Sequence, residues 1–160
     1  MRVVFAACVL AALLVACGDS QRVYEDNTDF NERVWMVKEK PKFEFEITNV
    51  QQKYNLYGNI RNTVSYPYAR LFYTYYLQDS TGRELQKNLV GEFLFDAKTG
   101  KPFGKSGIGD LYDHQFLMLK DYQFKSPGKY SVTFEQFMRM DTLQGITAVG
   151  LRIEKAESAK

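Results

Sequence analysis

The chain has little cysteine, histidine or tryptophan, and these shortages exclude several kinds of site. Its two cysteines, Cys8 and Cys17, lie close to the amino terminus, so the rest of the chain has no thiol. Disulfides, thiolate catalysis and cysteine-ligated zinc are therefore excluded there. The one histidine, His114, cannot form a histidine-rich metal site, and we expect it to be a surface or interface residue rather than a catalytic base. We predict no metal and no cofactor.

The chain also lacks an excess of charge of either sign. Lys and Arg number 21 against 19 Asp and Glu, and the formal net charge is +2 at pH 7. Proteins that hold nucleic acid through its phosphates need a basic surface, because their binding is driven by the release of condensed counterions. We therefore predict that this protein does not bind nucleic acid.

Long apolar runs are missing except at the start of the chain. Val3 to Leu14, which follows the positive Arg2, has the length of a secretory signal and is too short to span a bilayer. The run ends in Leu14-Val15-Ala16-Cys17, which resembles the bacterial lipobox, where cleavage precedes a cysteine that becomes acylated. We therefore predict a signal peptide over 1–16, removed on export, and lipidation at Cys17. Several acyl chains hold a protein firmly on a membrane.

The remaining chain is long enough for one domain with its own core and too short for two. Residues 17–33 are polar with few apolar side chains, so we predict a lipidated cysteine followed by a flexible tether. The composition changes at Val34. We predict a single domain over 34–156 and a short tail over 157–160.

Apolar residues alternate with polar ones through much of this domain, which predicts half-buried β-strands. In 42–49 the side chains of Phe43, Phe45 and Ile47 share one face, and 53–61 repeats the pattern, so we predict two antiparallel strands joined by a short turn. Further strands are predicted over 71–77, 84–89, 92–95, 115–120, 129–137 and 146–154. The pattern predicts an all-β fold, an antiparallel β-sandwich of about eight strands, for which a jelly roll is one available arrangement.

The stretch from Thr99 to Asp110 contains Gly104-Lys105-Ser106, which matches the end of a phosphate-binding loop. Such a loop also requires an earlier glycine at the position where this chain has Thr99, and a helix after it, which the pattern does not predict. We therefore predict a glycine-rich connection between strands rather than a nucleotide site.

Four carboxylates near this stretch raise two further alternatives, a calcium site and a glycosidase pair. They are Glu92, Asp96, Asp110 and Asp113. Asp110 and Asp113 supply fewer ligands than a calcium loop of the EF-hand type uses, and a glycosidase requires a set separation across a cleft. Carboxylates in loops commonly cap turns or stay solvated. We predict those roles, no catalytic residue and no enzymatic activity.

Aromatic residues make up 15% of the chain, with 11 Tyr and 12 Phe. They concentrate in Tyr66-Pro67-Tyr68 and in the strand over 71–77, which is either covered on both faces or leaves one aromatic face open. An open face would serve as a protein interface or as a stacking platform for a sugar, since tyrosine suits a surface that is apolar on one side and wet on the other. The candidate binding surface comprises Tyr66, Tyr68, Tyr73, Tyr75, Tyr76, Asp110, Tyr112 and Asp113.

Four strings, taken in their order and spacing, resemble the gliding-motility lipoprotein GldH family of the Bacteroidetes. They are YNLYGNIRNT at 54–63, YPY at 66–68, GKSGIGDLYD at 104–113 and LQGITAVGLRIE at 143–154. The resemblance implies a lipoprotein of the outer membrane, on its periplasmic face or at the cell surface, that serves gliding motility and the type IX secretion system. Its partners would be other motility or secretion proteins of the envelope. A surface module that binds a glycan is the alternative.

Overall fold

The computed structural model describes residues 19–157. The predicted signal peptide over 1–16, the predicted lipidation site Cys17 and the last three residues of the predicted tail lie outside the described residues. Within 19–157 the chain forms eleven strands and one short 3-10 turn, and no helix long and apolar enough to cross a membrane. The strands are β1 Arg22–Asp29, β2 Val34–Met36, β3 Lys42–Ile47, β4 Tyr54–Thr63, β5 Arg70–Asp79, β6 Glu84–Phe93, β7 Lys105–Ser106, β8 Leu111–Tyr122, β9 Gly128–Gln136, β10 Thr142–Gln144 and β11 Ile146–Lys155.

Two antiparallel sheets face each other. The five-stranded sheet has the order β1-β11-β4-β8-β7, the four-stranded sheet has the order β3-β9-β5-β6, and β2 pairs with β10 alone. The predicted all-β antiparallel sandwich is therefore confirmed. The strands outnumber the prediction because β1 lies in the predicted tether, and because β2, β7 and β10 are only two or three residues long, too short for an alternating pattern. The segments predicted separately over 84–89 and 92–95 form one strand, β6.

The core lies between the sheets, because each strand turns its apolar side chains toward the other sheet. β3 buries Phe43, Phe45 and Ile47 and exposes the polar residues between them, as the alternation predicts. Aromatic rings join the layers: the Phe45 ring lies 5.9 Å from the Tyr24 ring of β1 and 6.0 Å from the Phe124 ring. Truncating one such buried ring to alanine costs about 3–5 kcal/mol.

Strands β3 and β4 do not form the predicted pair. β3 pairs with β9 in the four-stranded sheet, whereas β4 pairs with β11 and β8 in the five-stranded sheet. The connection between Ile47 and Tyr54 therefore crosses from one sheet to the other. Alternation indicates which side chains face the core, but two strands with the same pattern fit equally well side by side or opposite each other across the core.

The predicted flexible tether over 17–33 is wrong for most of its length. Residues 22–29 form β1, which pairs with β11 from Arg22 opposite Glu154 to Asp29 opposite Ala148. Phe30 follows and is buried, with its ring stacked on a second buried ring at 5.3 Å. An edge strand buries few side chains, so its composition resembles that of a tether although its backbone is hydrogen-bonded.

Removal of β1 is expected to destabilise the domain. A chain that starts at Val34 lacks the β1–β11 ladder and the buried Phe30 ring, whereas a chain that starts at Asp19 keeps both. We expect the shorter protein to lose at least about 3 kcal/mol of unfolding free energy, since loss of one buried Phe side chain alone costs about that much. Urea denaturation of the two proteins measures the difference. Equal unfolding free energies would contradict the assignment of β1 to the fold.

Candidate functional site

Strand β5 has one buried face and one partly exposed face. The tyrosines that were predicted to bind a partner lie mainly on the buried face. Tyr73 and Tyr75 are 0% and 1% exposed, and Tyr66 in the preceding turn is 5% exposed. The Tyr66 hydroxyl donates to the backbone oxygen of Arg70 at 3.1 Å, and the Tyr75 hydroxyl donates to that of Met118 at 3.2 Å. The Tyr73 hydroxyl is buried without a hydrogen-bond partner among the described residues, so Tyr73 contributes packing area alone. These three residues are unavailable to a partner, which corrects that part of the prediction.

The opposite face of β5 carries an exposed apolar surface, here called the outer aromatic patch. Because strand side chains alternate, Phe72 and Tyr76 point outward, and pairing with β6 and β9 sets Leu89, Phe93 and Phe137 on the same face. The exposed fractions of Leu89, Phe93 and Phe137 are 54%, 47% and 61%. The patch consists of Phe72, Tyr76, Leu89, Phe93 and Phe137 together with Arg70. One face of β5 is therefore open, which was the second of the two alternatives for this strand.

Arg70 is held in the patch by two aromatic rings and one carbonyl group. Its guanidinium carbon lies 4.9 Å from the centre of the Phe72 ring and 4.7 Å from that of Phe93. Its Nε and Nη2 donate to the backbone oxygen of Gly91 at 3.1 and 3.0 Å. Gly91 permits this packing, because a Cβ there would lie 2.5 Å from the Phe72 ring. Within 19–157, Arg70 forms no ion pair.

Tyr76 borders the patch and is fixed by an internal hydrogen bond. Its hydroxyl donates to Glu135 Oε2 at 2.6 Å, while Lys40 pairs with the other oxygen of that carboxylate at 2.7 Å. The hydrogen bond to Glu135, aided by desolvation, raises the pKa of Tyr76 to about 12. The ammonium group of Lys87 lies 5.0 Å from the ring centre. Tyr76 is therefore neutral and oriented, and it offers ring surface rather than a free hydroxyl.

Tyr68 lies in the segment before β5, and Tyr112 lies in the other sheet. Tyr68 precedes β5, is 37% exposed, and its hydroxyl contacts the sulfur of Met140 at 3.6 Å. Tyr112 is half-buried on β8 in the other sheet, where it pairs with Asn62 and Ser106. The eight predicted residues therefore do not form one contiguous surface.

The carboxylates of the predicted surface each have their own cationic partner. Asp110 pairs with Arg33 at 2.8 Å, and Asp113 pairs with Arg61 at 2.6 Å.

Asp96 accepts two backbone N–H groups and one hydroxyl in the turn that follows it, and these hydrogen bonds lower its pKa. Its predicted turn-capping role is confirmed. The described part of the chain contains no group of three acidic, histidine or cysteine side chains placed to hold a metal ion.

The stretch that resembles a phosphate-binding loop is a strand at a sheet edge. Lys105–Ser106 forms β7, which pairs with β8, and β8 follows it in the chain. Gly104 packs directly against His114: a Cβ at Gly104 would lie 2.6 Å from His114 Nε2 and 2.9 Å from the backbone oxygen of Asp113. The glycine is needed because no larger residue permits this approach.

His114 is buried, which corrects the prediction that it lies at the surface. It is 7% exposed, its Nε2 donates to Asn62 Oδ1 at 2.9 Å, and its ring stacks on that of Phe116. Burial lowers the pKa of His114, and the neighbouring Asp113 carboxylate opposes that shift. His114 is a neutral structural residue near pH 7.

A second surface, here called the amide groove, crosses the outer face of the five-stranded sheet. Ala148 of β11 forms its floor, since its small side chain leaves a depression between β1 and β4. Gln115 Nε2 donates to Asn59 Oδ1 at 3.2 Å, and Asn59 Nδ2 donates to Glu25 Oε1 at 3.3 Å. The groove has a volume of about 240 Å³. Its walls are Glu25, Asn27, Asn59, Arg61, Asp113 and Gln115.

The described residues form a small antiparallel β-sandwich with an exposed aromatic patch on one sheet and a polar groove on the other. The sequence profile of the family described as GldH lipoprotein matches residues 22–153. The chain belongs to the GldH lipoprotein family, as the resemblance predicted. It is therefore a membrane-anchored envelope protein of a family implicated in gliding motility.

Two relatives match nearly the whole chain. The gliding motility lipoprotein GldH of Flavobacterium johnsoniae is 28% identical over 156 residues, 93% of this chain and 94% of its own. The gliding motility lipoprotein GldH homolog of Christiangramia forsetii is 29% identical over 157 residues, 94% of each chain. Among solved structures, VP2 of infectious bursal disease virus in its subviral particle aligns with 87% of this chain at a TM-score of 0.44 and 13% identity. The chain spans 33% of that viral protein.

Because His114 is the single histidine, its burial makes a separable contribution to the pH dependence of stability. Its pKa in the folded state lies below the unfolded value of 6.5, so the unfolded chain binds more protons between the two values. The contribution of the neutral ring is present above about pH 6.5 and is lost as the pH falls toward the folded pKa.

We expect His114→Gln, which has no proton to take up, to lose less unfolding free energy than the wild type between about pH 7.5 and about pH 5. Urea denaturation of both proteins at the two pH values measures this difference. The carboxylates titrate in both proteins and serve as the internal control. An equal loss in the two proteins would contradict the assigned direction of the His114 shift.

Proposed function

We propose that this protein is a non-enzymatic accessory component of the machinery for gliding motility and type IX secretion. Cys17 carries the lipid that anchors it to the outer membrane, and the domain binds another envelope protein through the outer aromatic patch. Membership of the GldH lipoprotein family supports the anchor and the motility role. The earlier sequence resemblance supports the secretion role and the outer membrane.

The exposure of the outer aromatic patch is the main support for the proposed binding role. Single exposed apolar residues are ordinary on protein surfaces, whereas contiguous apolar patches mark contact sites. In this patch the pairing of β5 with β6 and β9 makes the exposed side chains contiguous. Aromatic side chains and arginine are also the residue types that are enriched at the centres of protein interfaces.

Arg70 indicates the chemistry of the partner. Its guanidinium is stacked between Phe72 and Phe93, and no described carboxylate forms an ion pair with it. A carboxylate from a partner would form a charge-assisted pair there, and surrounding apolar side chains would exclude water and strengthen it. We infer a protein partner whose contact surface places apolar side chains around an Asp or Glu.

The described polar groups support a binding role over a catalytic one. Asp110 and Asp113 are engaged by different arginines, and His114 is buried beneath Gly104 with its Nε2 bound to Asn62. A hydrolase needs a base or nucleophile that can reach a substrate.

Leu89→Asp tests the outer aromatic patch, with Leu117→Asp as its matched control. Leu89 and Leu117 are 54% and 47% exposed, and they lie on the outer faces of different sheets. A charge in the centre of an apolar interface costs about 2 kcal/mol or more, so we expect capture of the partner to fall at least about tenfold for Leu89→Asp. Leu117→Asp should capture as the wild type does.

Capture is measured by affinity purification of the cross-linked protein from detergent-solubilised envelopes, with the bound proteins identified by mass spectrometry. Comparable melting temperatures for the two variants would establish that both fold. Recovery of the same motility or secretion proteins by Leu89→Asp at wild-type levels would contradict the patch as the interface. An equal loss of partner capture caused by Leu117→Asp would also contradict the patch as the interface.

The amide groove favours a second candidate function, the binding of a glycan. A stacking platform for a sugar would use Tyr66 and Tyr68, but Tyr66 is buried and cannot stack on a sugar. The groove instead presents side-chain amides and charged groups of both signs across about 240 Å³, and these groups suit the hydroxyls of a saccharide. The outer aromatic patch and the amide groove lie on opposite sides of the sandwich, so the two functions are separable.

Gln115→Ala and Tyr68→Ala distinguish the groove from the tyrosine platform. If a glycan binds in the groove, Gln115→Ala should weaken binding about fivefold, since one hydrogen bond contributes about 1 kcal/mol. Tyr68→Ala should leave that affinity unchanged. A glycan array identifies the ligand and titration calorimetry measures the affinities. The absence of any bound glycan, or a loss confined to Tyr68→Ala, would contradict this second function.

A further inference from the structure

The correction of the tether leaves very little chain between the anchor and the folded domain. Asp19 already contacts the sandwich: its backbone oxygen accepts the N–H of Arg22 at 3.1 Å, and its carboxylate forms an ion pair with Arg152 on β11. Only Gly18 separates Asp19 from Cys17. Because each residue spans at most about 3.6 Å, two residues of chain reach at most about 7 Å.

Arg152 holds Asp19 against the five-stranded sheet, near the end of β11. Its guanidinium also pairs with Glu25 of β1 at 2.9 Å and with Glu154 at 2.6 Å, and its side chain is only 14% exposed. Three carboxylates thus converge on one planar cation, which is the arrangement in which an arginine fixes geometry. Asp19, two residues after the predicted lipidation site, is therefore fixed against the sheet.

That point lies at one end of the sandwich. The register places the start of β1, the end of β11, the start of β4 and the end of β8 at the same end of the five-stranded sheet. Hydrogen bonds link the neighbouring loops. Lys155 N donates to the backbone oxygen of Gln21 at 2.8 Å, and Gln123 Nε2 donates to that of Val50 at 3.0 Å. This end, here called the anchor end, consists of residues 19–21, 48–53, 79–84, 122–128 and 155–157.

Exposed lysines lie at the anchor end without partners in the described ion pairs. They are Lys53, Lys125 and Lys155. Glu84 and Glu157 lie there as well, so this end has no strong net charge. The lysines can reach individual lipid phosphates, as long side chains with terminal ammonium groups commonly do at membrane surfaces.

We propose that the anchor end rests on the phospholipid headgroups of the membrane that holds the lipidated Cys17, so that the sandwich stands upright on the bilayer. This orientation rests on the lipidation in the proposed function and adds the surface that meets the lipid. It also sets the height of the outer aromatic patch. Asp79 of β5 lies at the anchor end, and Tyr76 and Phe72 lie three and seven residues away along the same strand, which corresponds to about 10 Å and about 23 Å. The patch is thus held clear of the headgroups.

Site-directed fluorescence in the full lipidated protein tests the orientation. Once the signal over 1–16 is removed and Cys17 is acylated, an introduced cysteine is the only free thiol. The label is placed by Lys125→Cys at the anchor end or by Lys101→Cys in the connection between β6 and β7 at the other end. The labelled proteins are reconstituted in vesicles of phosphatidylethanolamine and phosphatidylglycerol that contain nitroxide-labelled headgroups. We expect quenching at position 125 to exceed that at position 101 several-fold.

A flexible Gly/Ser insertion between Gly18 and Asp19 is the control for the short connection. It should bring the quenching at position 125 close to that at position 101. Equal quenching at the two positions in the uninserted, lipidated protein would overturn the orientation, and an undiminished difference after the insertion would overturn the short connection as its cause. Mass spectrometry that finds no lipid on Cys17, with no quenching at either position, would overturn the anchor itself. Failure of partner capture would leave the quenching difference unchanged, so the two proposals fail separately.

Discussion

The rest of the structure depends on the pairing of β1 with β11. This ladder brings the first and last long strands of the domain together and makes β11 an internal strand between β1 and β4. The inward side chains of β11, among them Val149 and Leu151, are fully buried. On its outward side a Cβ at Gly150 would collide with Asn27 of β1, so the glycine allows the two strands to approach.

The same ladder links the anchor to the outer face of the sheet. Arg152 pairs with Glu25 on β1 and with Asp19, the residue nearest to the anchor that the structure describes. One exposed ion pair contributes little to stability, whereas a network around a half-buried guanidinium can fix the course of the chain. Ala148, on the same outward face of β11 as Arg152, forms the floor of the amide groove. The position of Asp19 and the floor of the amide groove therefore both depend on β11.

The aromatic residues serve two purposes that the pleat of β5 separates. Tyr73 and Tyr75 fill the core, whereas Phe72 and Tyr76 face outward. Alternation within 71–77 places these two pairs on opposite faces, and the all-β class follows from the same periodicity. Because both faces are apolar or aromatic, alternation does not say which face is buried, and the prediction that Tyr73 and Tyr75 bind a partner was wrong. The contiguity of the patch does not follow from alternation, because Leu89 and Phe93 reach it only through the register of β6. The partners of β3 and β4 were also beyond prediction, since equal patterns do not specify which strands adjoin.

The sequence by itself determined the class of fold, the absence of thiol chemistry, the failure of the phosphate-loop motif and the family, because these depend on composition, period and local spacing. Only the tertiary structure decided that 22–29 is a strand, that His114 is buried beneath Gly104, and that Arg70 lies between two rings. The physical reason is that each of these features is a contact between segments distant in the chain. An edge strand with a polar composition is distinguished from a tether by backbone hydrogen bonds to β11, and those bonds exist only once the whole sheet has formed.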